Sequence, residues 1–416
     1  MSVRIPLVAI AAVGLLALTA CGSSGTGSSG GGGGGKQITM LSYQTSEPQK
    51  GLYNKFLDRC TASVDGGYKF KQLVVPQTEL IQKATQLTAS GDAPAMILAD
   101  NNNVPTLADA GVLAKFDVKD AGLKESDFEQ GPLKSGSFDG KQYGLPVGNN
   151  GEVIVYDKDA LAAAGVTPPK SWQELQDAAR ALTKDGKYGW GVSFNAGEVL
   201  TWNWVGQLWS KGGSLKDLTS PESVEATKFW TSFILNGTAP QASLKWESAD
   251  LQGQFTGKQI PMVQVGTWVL PGLLADAKKA GINVGIAPQV SADGGPPTVP
   301  FGGEILALSS GATGDVAKAA SQCLGLFFSD KQKLIDFDSA LGYVPAYKPA
   351  QEGFLQNNPD LQVMADQLAT ARARTGEVGA RYAAISTAMS TALQAVASGA
   401  SSVEDALKTA QQASQQ

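Results

Sequence analysis

Short apolar, β-branched runs alternate along the chain with stretches in which apolar residues return every three or four positions. Runs of four to six bounded by glycine or polar clusters predict strands, and the longer period predicts helices. Ile38 to Leu41, Phe70 to Val75 and Ala95 to Ala99 read as strands. Between them, Leu52, Phe56 and Cys60 share one helix face, and Leu80, Ile81, Ala84 and Leu87 share another, with Gly91 as its cap. Strand, helix, strand with short connections predicts an α/β lobe with a largely parallel sheet.

A second lobe follows. Phe138 to Pro146 reads as a hairpin feeding an extended exit, Val153 to Tyr156 as a strand, and Asp157 to Leu161 as a helix start. Ser171-Trp172-Gln173-Glu174 has capping-box spacing, and Pro follows Ser220 at the first position of another helix. Asn283 to Ala287 and Glu304 to Leu308 read as later strands, parted by the Gly/Pro-rich loop Gln289 to Gly303. The remainder reads as helical: Val316 to Phe328, Lys331 to Ala340, Leu361 to Arg374, a helix with Ile385, Met389 and Val396 on one stripe, and a short tail helix after Ser401.

Ile260 to Val265 predicts a buried strand that leaves through Gly266, where glycine would allow a sharp turn. Trp268 then stands at the carboxyl end of that strand, where open α/β sheets place their ligand crevice. An indole offers a flat apolar face and one donor, which suits a ligand with C–H faces and hydroxyl edges, although core packing would explain Trp268 as well.

The amino terminus carries a processing signal. Arg4 precedes the apolar run Leu7 to Leu18, which ends in Leu18-Thr19-Ala20-Cys21. This reads as a secretory signal over residues 1–20, too short to span a membrane stably. The Leu-x-Ala-Cys ending resembles the lipobox of bacterial lipoproteins, in which the cysteine carries lipid, and this makes Cys21 the lipidation site. Residues 21–35, almost entirely Gly and Ser after the cysteine, read as a flexible tether with a reach of roughly 20 Å. An acyl anchor there would hold the protein on a membrane without a spanning helix.

Composition removes several chemistries. Of 416 residues none is His, which excludes Ser-His-Asp and Cys-His catalysis and His-ligated zinc. A net charge of -5 with no basic tract argues against nucleic acid. No metal or other cofactor is expected. Cys60 and Cys323, bound for an oxidising exterior, are either a disulfide or two buried thiols.

Polar candidates gather at strand ends. Asn101 and Asn102 follow the strand Ala95 to Ala99, at a position suited either to a crevice or to a helix cap. Gln44 and Glu47 follow the first strand in the same way. Asn149, Asn150 and Glu152 stand between the two lobes. Trp202, Trp204 and Trp209 cluster around Asn203, as packing or as ligand platforms. Gly302 and Gly303 would let backbone N–H groups approach a ligand closely. Arg381 is the candidate cation of the carboxyl-terminal part, with Arg372 and Arg374 placed on a solvated face. The acids Glu47, Glu152 and Glu304 also admit a surface carbohydrate-active enzyme, although that chemistry needs two carboxyls at a fixed separation.

Several segments stand in a recognisable order: Tyr143-Gly-Leu-Pro146, Val153-Ile-Val-Tyr-Asp-Lys-Asp-Ala-Leu161, Ala163 to Leu175, Phe255-Thr-Gly-Lys258, Gly266-Thr-Trp268 and Leu341-Gly-Tyr-Val-Pro345. In this the chain resembles the family 1 extracellular solute-binding proteins of ABC importers, the maltose-binding-protein-like group. The resemblance implies an α/β type II periplasmic-binding-protein fold, two lobes joined by a hinge that closes on ligand. It implies lobe 1 over 36–147 plus 282–310 and lobe 2 over 148–281 plus 311–416. It also implies a monomeric receptor, anchored by lipid to the outer face of the bacterial membrane, that captures a mono-, di- or oligosaccharide and delivers it to membrane permease subunits. A glycerophosphodiester or polyol is the alternative ligand. Trp268 gains weight from its matched segment, and Tyr343 enters as a residue that similar proteins turn toward ligand.

Overall fold

The computed structural model describes residues 36–415. The signal segment, Cys21 and the tether lie outside the described residues.

Five strands form the larger sheet in the order Lys69–Val74, Gln37–Ser42, Met96–Asp100, Glu304–Leu308, Gly144–Pro146. The first three are mutually parallel, and Glu304–Leu308 runs antiparallel to both of its neighbours. Parallel pairing is therefore confined to the amino-terminal strands, because Glu304–Leu308 returns from the other lobe and enters the sheet from the opposite end. Met96–Asp100 and Glu304–Leu308 are buried along their whole length, as central strands covered on both faces must be.

A second sheet holds three antiparallel strands in the order Val284–Ala287, Glu152–Asp157, Met262–Gly266. This corrects the lobe boundaries. Val284–Ala287 pairs with Glu152–Asp157 and so belongs to the second lobe, which moves the return crossing from Gly281 into the loop before Pro300. Helix Gly314–Phe328 was expected in lobe 2 and instead packs on the first lobe. Cys323 is disulfide-bonded to Cys60 of helix Gln49–Ser63, and Phe327 meets Phe56 edge to face at 5.1 Å.

The second lobe is built around helix Glu198–Ser210, in which every residue from Leu200 to Trp209 is buried. Helices Pro221–Leu235 and Tyr382–Ala397 enclose it. The carboxyl-terminal helix Val403–Ala413 covers this layer with Val403, Ala406, Leu407 and Ala410, a stripe at helical spacing.

Two local expectations change. The helix read over Leu361 to Arg374 is only Gln362–Leu368. The chain then extends, and Arg372–Ala373 pairs with Pro300–Phe301. Gly266 keeps ordinary extended backbone at φ -68°. Its missing side chain serves the indole of Trp268, which folds back onto the space a Cβ would fill.

Candidate functional site

Two chain segments cross side by side between the lobes, 147–150 and 301–304. Val147 N–H donates to the Glu304 carbonyl at 2.9 Å, and Asn150 and Gly302 exchange backbone bonds of 2.9 and 3.0 Å. Asn101 N–H donates to the Gly303 carbonyl at 3.0 Å. A Cβ on Gly303, at φ 142°, would overlap the Gly148 carbonyl oxygen. One on Gly302 would overlap Asn150 Oδ1 and the Trp202 ring. The paired glycines therefore let two chains and an indole meet closely. The Gly302 N–H, expected to reach a ligand, is taken by Asn150.

Glu304 begins the strand that leaves this crossing. Its Oε1 accepts from Tyr43 Oη, Gln44 Nε2 and Tyr343 Oη, each at 2.8 Å, while Oε2 has no partner. Burial pushes this carboxyl up to about 7, against the pull of the Tyr343 and Tyr43 hydroxyls. Asp338, buried nearby with both oxygens unpartnered, is pushed well above the usual carboxylate range by burial and then by the Glu304 charge.

Glu152 lies on the second sheet directly opposite Gly266. Cross-strand partners point to one face, so the Glu152 side chain and the Trp268 indole folded over Gly266 share a side of the sheet, and Gln264, two residues earlier, shares it too. Trp268 is half-buried and tilts 39° against Trp202 with centroids 5.8 Å apart. Trp202 is fixed by its Nε1–H to the Pro300 carbonyl at 3.1 Å. The Gln264 amide donates to Asn203 Oδ1 at 2.9 Å and the Gln289 amide to the Glu152 backbone carbonyl at 3.2 Å, leaving both amide carbonyls free. Glu152 is 1% exposed, and burial pushes its carboxyl up to about 8, with the Gln264 side chain opposing.

Arg374 closes the far side. Its buried guanidinium binds Asp100 Oδ1 at 2.6 Å, Glu198 Oε1 at 2.5 Å and Asn101 Oδ1 at 2.7 Å, and its Cζ stands 4.4 Å from the Trp202 ring centre. Burial lowers its proton affinity, but Asp100 and Glu198 outweigh this and hold it firmly charged. This overturns the solvated placement expected for Arg374. Arg372 is exposed, and so is Arg381, the cation expected in the cleft.

The structure thus brings Gln44, Asn101, Asn102, Asn150, Glu152, Trp202, Trp268 and Tyr343 to one seam between the lobes. Asn149 is buried beside them, its amide turned to the Val344 carbonyl at 3.3 Å. Two further candidates lie elsewhere. Glu47 is exposed and accepts from Gly51 N–H at 2.9 Å in the first turn of its helix, so it acts locally. Trp204 is wholly buried in the second lobe and donates to Thr227 Oγ1 at 2.9 Å, because two residues of helix turn it away from the side that carries Trp202. Sequence reading missed Tyr43, Glu198, Gln264, Gln289 and Asp338 as parts of the seam. Only Tyr43 and Gln264 had a signal, as neighbours of Gln44 and of the strand before Trp268.

Buried polar atoms around this seam are left unpaired with one bias. Asn102 Oδ1, Asn150 Oδ1, Glu152 Oε1, Gln264 Oε1, Gln289 Oε1, Glu304 Oε2 and both Asp338 oxygens have no hydrogen-bond partner, and the three acids among them, pushed up by burial, can donate as well as accept. Arg374 Nε is a donor without an acceptor, and the hydroxyls of Thr267 and of Tyr53, which lies near Glu304 and Asp338, are also unpaired. Buried polar atoms are ordinarily hydrogen-bonded to protein or ordered water, so these atoms are the candidates to meet a ligand.

Two α/β lobes thus share one buried polar seam across a chain crossing. The chain belongs to the bacterial extracellular solute-binding protein family, which it matches over residues 55–363. Its fold is the type II periplasmic-binding-protein fold. The Arthrobacter globiformis cyclic alpha-maltosyl-1,6-maltose binding protein is 25% identical, with a TM-score of 0.72 over 92% of this chain and 98% of that one. An Agrobacterium radiobacter ABC transporter solute-binding protein in complex with ribitol is 22% identical, with a TM-score of 0.80 over 92% and 98%. The Escherichia coli sn-glycerol-3-phosphate-binding periplasmic protein UgpB is 23% identical over 304 residues, 67% of this chain and 68% of its own. Relatives from Brucella abortus are 25% identical over 199 residues, and the match spans 48% of their length, so the chain spans about half of these curated relatives.

Proposed function

We propose that the chain captures a small sugar or polyol between its lobes and passes it to the permease subunits of an ABC importer. The observation that carries this reading is the set of unpaired buried polar atoms along the seam, most of them oxygens. Each hydroxyl of a sugar brings both a donor and an acceptor, so a polyhydroxylated solute satisfies these atoms and gains more from the closed state than from the open one. Trp268 supplies the flat apolar face that such a solute also needs. Cys21 would carry the lipid that holds the receptor, as a monomer, at the outer face of the membrane. That part rests on the sequence before Lys36.

A glycerophosphodiester suits the seam less well. A phosphate brings acceptors only, and the buried guanidinium that could meet it is already answered by two carboxylates, Asp100 and Glu198. The enzyme reading gains nothing from the family, and Glu304 has one oxygen committed to three donors.

Thermal-shift screening across sugars, polyols and glycerophosphodiesters tests the reading. A sugar or polyol that raises the unfolding temperature and is recovered unchanged supports it. A shift confined to phosphodiesters, or recovery of a cleaved sugar, contradicts it.

A further inference from the structure

The seam holds two indoles, and the chain itself occupies one of them. Trp202 is 4% exposed and enclosed. Its Nε1–H donates to the Pro300 carbonyl, and the far edge of its six-membered ring lies against Gly302, where a Cβ would overlap Cη2. Arg374 Cζ stands over the ring, 4.4 Å from its centre, and Trp268 leans against it at 39° with centroids 5.8 Å apart. Trp268 is only half-buried, but its own ring is folded onto Gly266, so it keeps one face at most for a solute.

A planar guanidinium stacks on an indole much as the C–H face of a sugar ring does. Arg374 therefore lies where a second ring would lie on Trp202. It is held there from both lobes, by Asp100 Oδ1 at 2.6 Å and Asn101 Oδ1 at 2.7 Å on one side and by Glu198 Oε1 at 2.5 Å on the other. Glu198 is itself fixed by the hydroxyls of Tyr382 and Ser386. Glu198 and Trp202 are four residues apart in helix Glu198–Ser210, so the carboxylate and the ring that receive Arg374 share one helix face.

We propose that Arg374 fills the second stacking position of the seam, so that the captured solute is a single sugar ring, or an open-chain polyol of similar length, lying on Trp268. This rests on the reading of the seam as a sugar or polyol site and narrows the solute within it. Each further ring of an oligosaccharide brings another apolar face, which an aromatic side chain would have to cover. Trp202 cannot do so unless Arg374 leaves, and its departure would strand Asp100 and Glu198 without their buried counter-ion. Trp204 and Trp209 offer no substitute, since both are buried in the core of the second lobe. A side chain already seated where a longer solute must go selects by exclusion rather than by added attraction. Arg374 is thus a specificity-determining residue that sets solute length.

Calorimetric titration of the full chain along ladders of length tests this: glucose, maltose and maltotriose; mannose and mannobiose; sorbitol and maltitol. In each ladder that binds, the shortest member is expected to bind about tenfold or more tightly than the longer ones. Arg374→Ala, which clears the face of Trp202, should shrink that ratio several-fold, a change of preference that lost stability alone would not produce. If this variant unfolds, the ladders on the parent protein decide. A di- or trisaccharide that binds the parent as tightly as its single ring overturns the inference and leaves the sugar reading standing. So does an unchanged ratio in a folded Arg374→Ala protein. Binding of no member of any ladder, or binding confined to glycerophosphodiesters, overturns the two together.

Discussion

Arg374 and Asp100 lie 274 residues apart and meet at 2.6 Å, with the arginine side chain wholly buried between Asp100 of the first lobe and Glu198 of the second. The pairing ties the carboxyl-terminal segment to the end of the central strand Met96–Asp100. Removing one member of a buried ion network leaves the others without compensation, which costs about 3–5 kcal/mol. Arg374→Met should therefore lower the unfolding temperature strongly. Arg374→Lys should recover little, because a single ammonium cannot serve Asp100, Asn101 and Glu198 together. Calorimetric melting of the two variants checks this, and a lysine variant as stable as the parent would contradict it.

Cys60 and Cys323 close a loop across a sequence separation of 263 residues and fasten helix Gly314–Phe328 to the first lobe. A cross-link of this kind contributes about 2–4 kcal/mol. The Cys60→Ser, Cys323→Ser double variant should melt earlier. Peptide mapping without reductant should recover the two cysteines joined, and recovery of both as free thiols would contradict the linkage.

The buried acids give a pH signature with a definite sign. Glu152 and Glu304 are raised from the ordinary 4.5 to about 8 and about 7. Between those values the folded chain holds protons that the unfolded chain has released, so stability falls as pH rises through this window and levels off above it. Asp338, raised well above 3.8, acts in the same direction. The titratable groups facing Glu304 are Tyr43, Tyr53, Tyr343, Asp100 and Asp338, of which the acids only strengthen the effect. Exposed acids such as Asp177 and Asp330 are lowered, and their contribution is lost only below the ordinary carboxylate range. The ligand-free protein should melt at a lower temperature at pH 8 than at pH 5. Glu152→Gln and Glu304→Gln should each flatten that slope. A rising slope in the parent protein would contradict the account.

Gly303 has a conformation that only glycine adopts readily, and a side chain there would strike the Gly148 carbonyl. Gly303→Ala should part the two crossing segments, with loss of stability and of solute binding together. Ala substitution at Gly197, at φ 143° and with nothing where a Cβ would stand, controls for the backbone conformation alone.

Much of the frame was legible because it is local. The strand before Asp100, the cap at Ser171 and the apolar run before Trp268 follow from period and from turn residues, and the side chains of Ser171 and Ser220 do cap their helices. The seam was legible only in part. Arg374 continues the helical spacing begun at Leu361, and nothing nearby announces that the chain leaves the helix after Leu368 to pair with Pro300–Phe301. Trp202 and Trp204 are equally apolar neighbours on a helix buried all round, so period alone cannot choose the side that meets the other lobe. Asp338 sits within a helix read as ordinary. Its burial depends on packing beside Gly148 and Glu304, both far away in sequence.

The central claim is that the seam beneath Trp268 takes up a small polyhydroxylated solute. It is tested most directly by calorimetric titration of the protein and its Trp268→Ala variant with the sugar or polyol that gives the largest thermal shift. The account predicts saturable binding at one site in the parent and none in a variant that still unfolds cooperatively. Equal affinity in the two proteins would contradict it.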